Sequence, residues 1–292
     1  MRWGDMRPSD NVEDRRGSGG GPRLGGGMRL GGGALVVVVI VSLLFGVNPM
    51  QFLGMMEGAG PAVAPPQPST PARTAAAPAA KDPEGEFVGR TLGNTEDVWT
   101  ALLEGMGTRY EPPRLVLFAG ATPSACGQAN AAAGPFYCPA DRKVYLDTAF
   151  FQELSRKFGA PGDFAAAYVI AHEIGHHVQN QLGTMRKCDQ AAARMDTRER
   201  NAQSVRLELQ ADCYAGVWGY YAAKRNLLDP GDVDEGLRAA SAVGDDTIQQ
   251  RARGHVVPDA FTHGSADQRV RWFRTGLASG DPRKCNTFAG NP

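Results

Sequence analysis

Asp163-Phe-Ala-Ala-Ala-Tyr-Val-Ile-Ala-His-Glu-Ile-Gly-His-His-Val-Gln-Asn-Gln-Leu-Gly183 reads as one helix, and the rest of the chain is read outward from it. Asp163 stands where an N-cap is wanted, Ala-rich turns follow, and Gly183 suits a C-terminal stop. His172 and His176 are four residues apart, so both imidazoles leave the same face one turn apart. That spacing suits two ligands of a tetrahedral zinc ion. Glu173, beside the first, is placed to take a proton from water that the metal activates. Gly175 costs about 1 kcal/mol against Ala inside a helix, which predicts that another element or a substrate packs closely there. His177 points off the ligand face and reads as solvated or as a supporting histidine.

A bare His-Glu-x-x-His also arises by chance on amphipathic helices, so a second helix carries weight. Ala202-Gln-Ser-Val-Arg-Leu-Glu-Leu-Gln-Ala-Asp-Cys-Tyr-Ala-Gly-Val-Trp218 sets Glu208 and Asp212 four apart on one face, among Leu207, Leu209, Ala211, Ala215 and Trp218. Buried unpaired carboxylates are costly, and a metal or a ligand histidine would resolve that cost. Glu208 is therefore expected as third ligand, and Asp212 as the acceptor that fixes a ligand histidine's tautomer. In Phe261-Thr-His-Gly-Ser-Ala-Asp-Gln-Arg-Val-Arg-Trp-Phe273, His263 precedes a helix capped by Ser265, with Arg269 along it. These two are the candidates for stabilising a developing oxyanion. Asp245-Asp246, after Gly244, is expected to start a helix and is given no catalytic role.

Before the metal helix, Gly134-Pro-Phe-Tyr-Cys-Pro-Ala-Asp-Arg-Lys-Val-Tyr-Leu-Asp147 reads as a β-hairpin turning at Pro139–Arg142, and Leu115-Val-Leu-Phe118 as a further strand. An exposed edge strand there could hold an extended peptide by main-chain hydrogen bonds.

The N-terminal third has a different composition. Residues 1–33 are rich in Gly and Arg and read as a disordered tail. Ala34 to Val47 carries no charge, and the uncharged run lasts until Glu57. Fourteen helical residues span roughly 21 Å, short of a bilayer core, but continuing to Leu53 reaches the needed length. A single membrane span over 34–56 is the reading. A cleaved leader ending near Ala62-Val63-Ala64 is the rival, against which the 33-residue lead-in argues. Arg2, Arg7, Arg15, Arg16, Arg23 and Arg29 precede the span, whereas the first basic residue after it is Arg73. The positive-inside rule then holds the N-terminus in the cytoplasm of a bacterial inner membrane and exports the rest. Residues 57–85 form a Pro/Ala-rich linker, leaving 86–292 as the functional domain.

All five cysteines (126, 138, 188, 213 and 285) lie in the exported part, where disulfides persist. Cys126 and Cys138 flank a Gly/Pro-bearing loop suited to a short clip; an odd cysteine remains over. Lys+Arg and Asp+Glu each total 31. With no basic tract and no phosphate-cradling loop, nucleic acid is not expected as a partner.

These blocks together resemble the bacterial neutral zinc metallopeptidase family, single-span membrane proteins with a zincin-like exported domain. The matching segments are Met1-Arg-Trp3, Asp10–Arg16, Cys126, Gly134–Asp141, His172–His177, Glu208–Trp218, Gly244-Asp-Asp246, Phe261–Gly264 and Cys285–Phe288. The resemblance implies His172, His176 and a downstream Glu as ligands of one zinc ion, with Glu173 catalytic. It also implies a Cys213–Cys285 pair that leaves Cys188 over. The Thr-His-Gly…Arg spacing is further similar to a segment of membrane-embedded CAAX-processing metallopeptidases.

The expected fold is α+β: a zincin-like domain of small sheet plus active-site helices, behind a single-pass anchor. The expected activity is zinc-dependent hydrolysis of peptide bonds in a peptide or protein substrate. The alternatives are a zinc amidase acting on cell-wall amides and a non-catalytic envelope protein braced by zinc.

Overall fold

A computed structural model of the chain describes residues 1–17, 82–130, 134–156 and 159–290. The architecture is α+β. A four-stranded sheet is built from β1 (Val12–Asp14), β2 (Arg114–Phe118), β5 (Phe136–Cys138) and β6 (Lys143–Asp147), in the order β1-β2-β6-β5. The first three in that order run parallel, and β5 runs antiparallel to β6 at the edge. The hairpin expected at 134–147 is therefore present, with Arg142 in a positive-φ turn conformation. A second hairpin joins β3 (Ala121–Ser124) to β4 (Gly127–Asn130).

Alternation along the sheet divides its two faces. Leu115, Leu117, Val144 and Leu146 point into the main helical core. Val116, Phe118 and Tyr145 point the other way, into a smaller cluster with Ala129 and Cys138. Cys126, in the turn of the second hairpin, is bonded to Cys138 on β5, so that hairpin is clipped to the edge strand. The second disulfide joins Cys213 to Cys285, and Cys188 is the buried free thiol.

The helices are α1 (Pro83–Gly105), α2 (Ala149–Arg156), α3 (Asp163–Gln181), α4 (Thr184–Ala192), α5 (Thr197–Lys224), α6 (Asp232–Ala242), α7 (Asp245–Arg253) and α8 (Ala266–Ser279). The predicted metal helix is α3, and it is central: nearly every residue from Phe164 to Gln179 is buried. Its N-cap is Gly162 rather than Asp163; Asp163 is already helical and bonds instead to the Met1 α-ammonium at 2.8 Å. The second predicted helix is longer than expected, because the capping box of Asp196 with Glu199 starts α5 five residues earlier.

Two close crossings set the helix geometry. A Cβ on Gly175 would lie 3.0 Å from the Ala211 carbonyl oxygen, so α3 and α5 approach there with little to spare. The packing expected from Gly175 is thus supplied by α5, at the point flanked by His176 and Asp212. Farther along, a Cβ on Gly216 of α5 would lie 2.1 Å from the Phe273 carbonyl oxygen of α8. One on Gly276 would lie 2.0 Å from that of Cys213.

Two sequence expectations need correction. Residues 1–17 are not a disordered tail: Val12–Asp14 form β1 in the sheet, and Met6 is buried. Their short strand and ion-pairing arginines find partners far along the chain, which local composition does not reveal. The linker expected at 57–85 ends sooner, since Asp82 caps α1 and accepts from the Gly85 N–H. The domain therefore includes residues 82–85, and α1 buries Val88, Leu92 and Trp99 in its core. Among the described residues no helix is long and apolar enough to cross a membrane, and the expected span at 34–56 lies outside them.

Because Gly276 meets backbone rather than a flexible side chain, Gly276→Ala forces α8 away from α5. Overpacking of this kind costs about 1–3 kcal/mol, read as a fall in the urea midpoint at unchanged m-value. An unchanged midpoint would show that the crossing is looser than described.

Candidate metal centre

The histidines of α3 present Nε2 to one carboxylate of α5. His172 Nε2 lies 3.2 Å from Glu208 Oε2, and His176 Nε2 lies 3.4 Å from Glu208 Oε1. All three side chains are buried, and one ligand atom from each falls within 4.8 Å of the others. The other ring nitrogens are occupied elsewhere. His172 Nδ1 donates to Asp212 Oδ1 at 2.9 Å, and His176 Nδ1 donates to Gln179 Oε1 at 2.9 Å. That fixes both ring orientations with Nε2 toward Glu208, the nitrogen a metal would take in place of a proton.

The donor set fits zinc, which takes imidazole nitrogen and carboxylate oxygen in sites of this size. Burial opposes charge at His172, yet Asp212 and Glu208 push its pKa up to about 10. Burial likewise opposes charge at Glu208, but His176 and His172 hold it ionised, well below the usual carboxylate range. A proton on His172 thus balances Glu208 at the position where a metal would sit. A second acidic group, Asp163, Asp232 and Glu235, is also close enough to hold an ion. There the Met1 α-ammonium contacts Asp163 at 2.8 Å and Asp232 at 3.3 Å, and supplies positive charge itself.

Asp212 is wholly buried and serves more than His172. It accepts from the Tyr168 hydroxyl at 2.5 Å, from Arg269 Nε at 2.8 Å and from Arg269 Nη2 at 2.9 Å. Arg269 also donates to the Val243 carbonyl at 3.0 Å. The expectation that Arg269 faces an oxyanion is therefore corrected. Its guanidinium is buried beneath the ligand histidine, where it neutralises Asp212, and helix spacing alone does not reveal that partner.

His176 has its own support. The Gln179 amide nitrogen donates to the Leu207 carbonyl at 2.7 Å and to Gln210 Oε1 at 3.1 Å. Gln210 in turn donates to the Cys285 carbonyl at 2.8 Å, beside the Cys213–Cys285 disulfide.

Glu173 is buried next to His172, and burial raises its carboxyl above the usual range although both histidines pull the other way. The Tyr137 backbone N–H of β5 favours its charged form. The Tyr137 hydroxyl receives the Asn180 amide at 2.8 Å and donates to His177 Nδ1 at 3.1 Å, while His177 Nε2 donates to the Glu111 carbonyl at 2.7 Å. His177 is thus neither solvated nor a support for the ligands. It rivets the edge strand to α3, and burial lowers its pKa to about 4.

His263 stands in the loop before α8, buried and within electrostatic reach of Glu208. Its Nδ1 lies 3.2 Å from Asp245 Oδ1, and Asp245 Oδ2 accepts the backbone N–H groups of Thr262, His263 and Gly264 at 2.7, 2.6 and 3.0 Å. One carboxylate at the start of α7 therefore holds both loop and ring. Asp245 was not expected from the sequence; neither were Tyr168 and Gln179. The last two stand four residues before His172 and three after His176, spacings that could have disclosed them. Asp245 meets His263 across 18 positions, and no local pattern pairs them.

A family model described as "Putative neutral zinc metallopeptidase" matches residues 1–288. The chain is 47% identical over 294 residues to the uncharacterized protein YpfJ of Escherichia coli K12, covering 99% of each. It is 46% identical over 209 residues to the uncharacterized protein Rv2575 of Mycobacterium tuberculosis H37Rv, covering 68% of each. No solved structure matches.

Two outcomes are expected here. Asp212→Ala weakens zinc binding about 10–100-fold in chelator competition, since it removes the acceptor that fixes His172. It also leaves Arg269 unpaired, at a cost of about 3–5 kcal/mol in denaturant unfolding. Wild-type affinity in this variant would contradict the arrangement. Separately, NMR titration of His177 should find half-protonation near pH 4 rather than near 6.5. Its folded pKa is depressed, so its stabilisation is complete above pH 6.5 and is lost as pH falls toward 4, at most about 3 kcal/mol.

Proposed function

The chain belongs to the neutral zinc metallopeptidase family, and from that premise we propose that it hydrolyses peptide bonds at one zinc ion held by His172, His176 and Glu208. The observation that carries this reading is Glu173. A metal that merely braces α3 against α5 has no use for a buried carboxylate beside its ligands, with its pKa raised by burial. A general base works best when its pKa approaches the working pH.

When bound, zinc supplies Lewis acidity that polarises the scissile carbonyl and makes water acidic enough to be deprotonated near neutrality. Glu173 then accepts the proton of the attacking water and passes it to the departing amine. His263 donates from Nε2 to the oxygen on which negative charge develops, its ring held from behind by Asp245. Burial opposes charge on His263, but Asp245 and Glu208 raise its pKa, which favours the donor form. Arg269 acts one step removed, by holding Asp212 and through it His172.

The substrate reading rests on β5. It is the outer strand of its sheet, and its Tyr137 N–H turns toward Glu173. An extended chain adding to that edge would lie along the catalytic carboxylate, which supports an endopeptidase acting on peptide or protein. A zinc amidase cleaving cell-wall amides would use the same metal chemistry; rates on peptide libraries against muropeptides separate the two. The two disulfides support an oxidising compartment, and hence a domain outside the cytoplasm.

Glu173→Gln should lower turnover by about 10²–10⁴-fold, the usual contribution of a general base, while metal analysis still finds one zinc per chain. Loss of the metal with the activity would assign Glu173 to binding instead. Asp245→Asn, which keeps the shape but weakens the hold on His263, should reduce kcat while zinc content stays unchanged.

A further inference from the structure

We infer that residues 1–17 are an integral part of the zinc domain and lie on the same side of any membrane as residues 82–292. The first observation is backbone pairing. Val12, Glu13 and Asp14 lie in parallel register with Leu115, Val116 and Leu117, and the Arg15 N–H donates to the Leu117 carbonyl at 2.7 Å. Without β1, β2 would be the edge of the sheet, its N–H and C=O groups on that side unpaired.

The second observation is how deeply the segment is built into α1. The Ser9 N–H donates to the Gly89 carbonyl at 2.9 Å. A Cβ on Gly93 would lie 2.2 Å from the Arg7 carbonyl oxygen, so this stretch of chain rests directly on the helix backbone. Glu96, buried on α1, receives Arg7 at 2.9 Å, the Ser9 hydroxyl at 2.5 Å and Asn11 at 2.8 Å. Trp3 packs edge-on against Phe87 at 5.8 Å.

The third observation removes the ground for the opposite topology. The positive-inside reading rested on six arginines before the apolar stretch. Four of them are paired within the folded domain: Arg2 with Asp229, Arg7 with Glu96 and Asp97, Arg15 with Glu13, and Arg16 with Asp14 and Asp82. Their presence is explained by carboxylates rather than by a cytoplasmic face. The Arg16–Asp82 pair also ties the end of this segment to the residue that caps α1.

A single crossing cannot meet these contacts by exchange between copies. Every copy inserted in the same sense would hold its first residues on the far side from every zinc domain.

The test uses the full chain in its native membrane, with single cysteines introduced at exposed positions as Asp10→Cys or Arg274→Cys. A membrane-impermeant maleimide is applied to intact cells and then to permeabilised ones. The inference expects both positions to be labelled together, in intact cells or only after permeabilisation. Label at one position alone in intact cells overturns it. A second arm inserts a site-specific protease sequence between residues 70 and 71 of the full chain, purified in detergent. After cleavage, the N-terminal fragment should co-elute with the zinc domain; separation of the two under native conditions overturns the inference.

Discussion

Asp212 is a carboxylate with no access to water, and the centre of the molecule is arranged to keep it charged. An isolated charge in such a place would cost several kcal/mol or take up a proton. Here Arg269 supplies the opposite charge in two hydrogen bonds, Tyr168 donates a third, and His172 a fourth. The consequence for chemistry is indirect but strong. With Asp212 accepting a hydrogen bond from His172 Nδ1–H, that ring has one orientation, with Nε2 turned to Glu208. The metal centre is thus prepared by charges lying behind it.

Such preparation needs helix backbones close together, which small residues provide. Gly175 lets α3 settle against Ala211, bringing the histidines of one helix to the carboxylates of the other. Gly216 and Gly276 let α8 approach α5, bringing Arg269 to Asp212 from the far side. The Cys213–Cys285 disulfide lies beside this second crossing, and the Cys285 carbonyl anchors Gln210, which leads through Gln179 to His176. Both ligand histidines are therefore held by chains of hydrogen bonds ending in covalent or ionic fixtures. On the opposite flank, Tyr137 and His177 fasten the edge strand to the same helix, so that strand and Glu173 share one support.

What was legible in the sequence follows the reach of local periodicity. His172 with His176, and Glu208 with Asp212, each announce a common helix face by four-residue spacing, and their burial follows from apolar neighbours. The hairpin at 134–147 and the Cys126–Cys138 clip are equally local. Arg269 was read as facing the reaction because spacing gives the face of a helix but not what stands opposite; a buried aspartate stood there. Asp245 escaped because its partner is a loop histidine 18 residues away. The first 17 residues were misread for a different reason. Their three-residue strand is too short to show a period, and the Gly-rich stretch that follows masked them in composition. Their partners, Glu96 and Leu115 to Leu117, lie some 80 to 105 positions downstream.

The central claim is that one zinc ion sits between α3 and α5 on two imidazoles and one carboxylate. Anomalous diffraction collected on both sides of the zinc absorption edge, from crystals of the zinc-loaded full chain, tests it most directly. The account predicts one strong anomalous peak within bonding distance of His172 Nε2, His176 Nε2 and a Glu208 carboxylate oxygen. A dominant peak at Asp163, Asp232 and Glu235, or one bonded to the Cys188 sulfur, would contradict it.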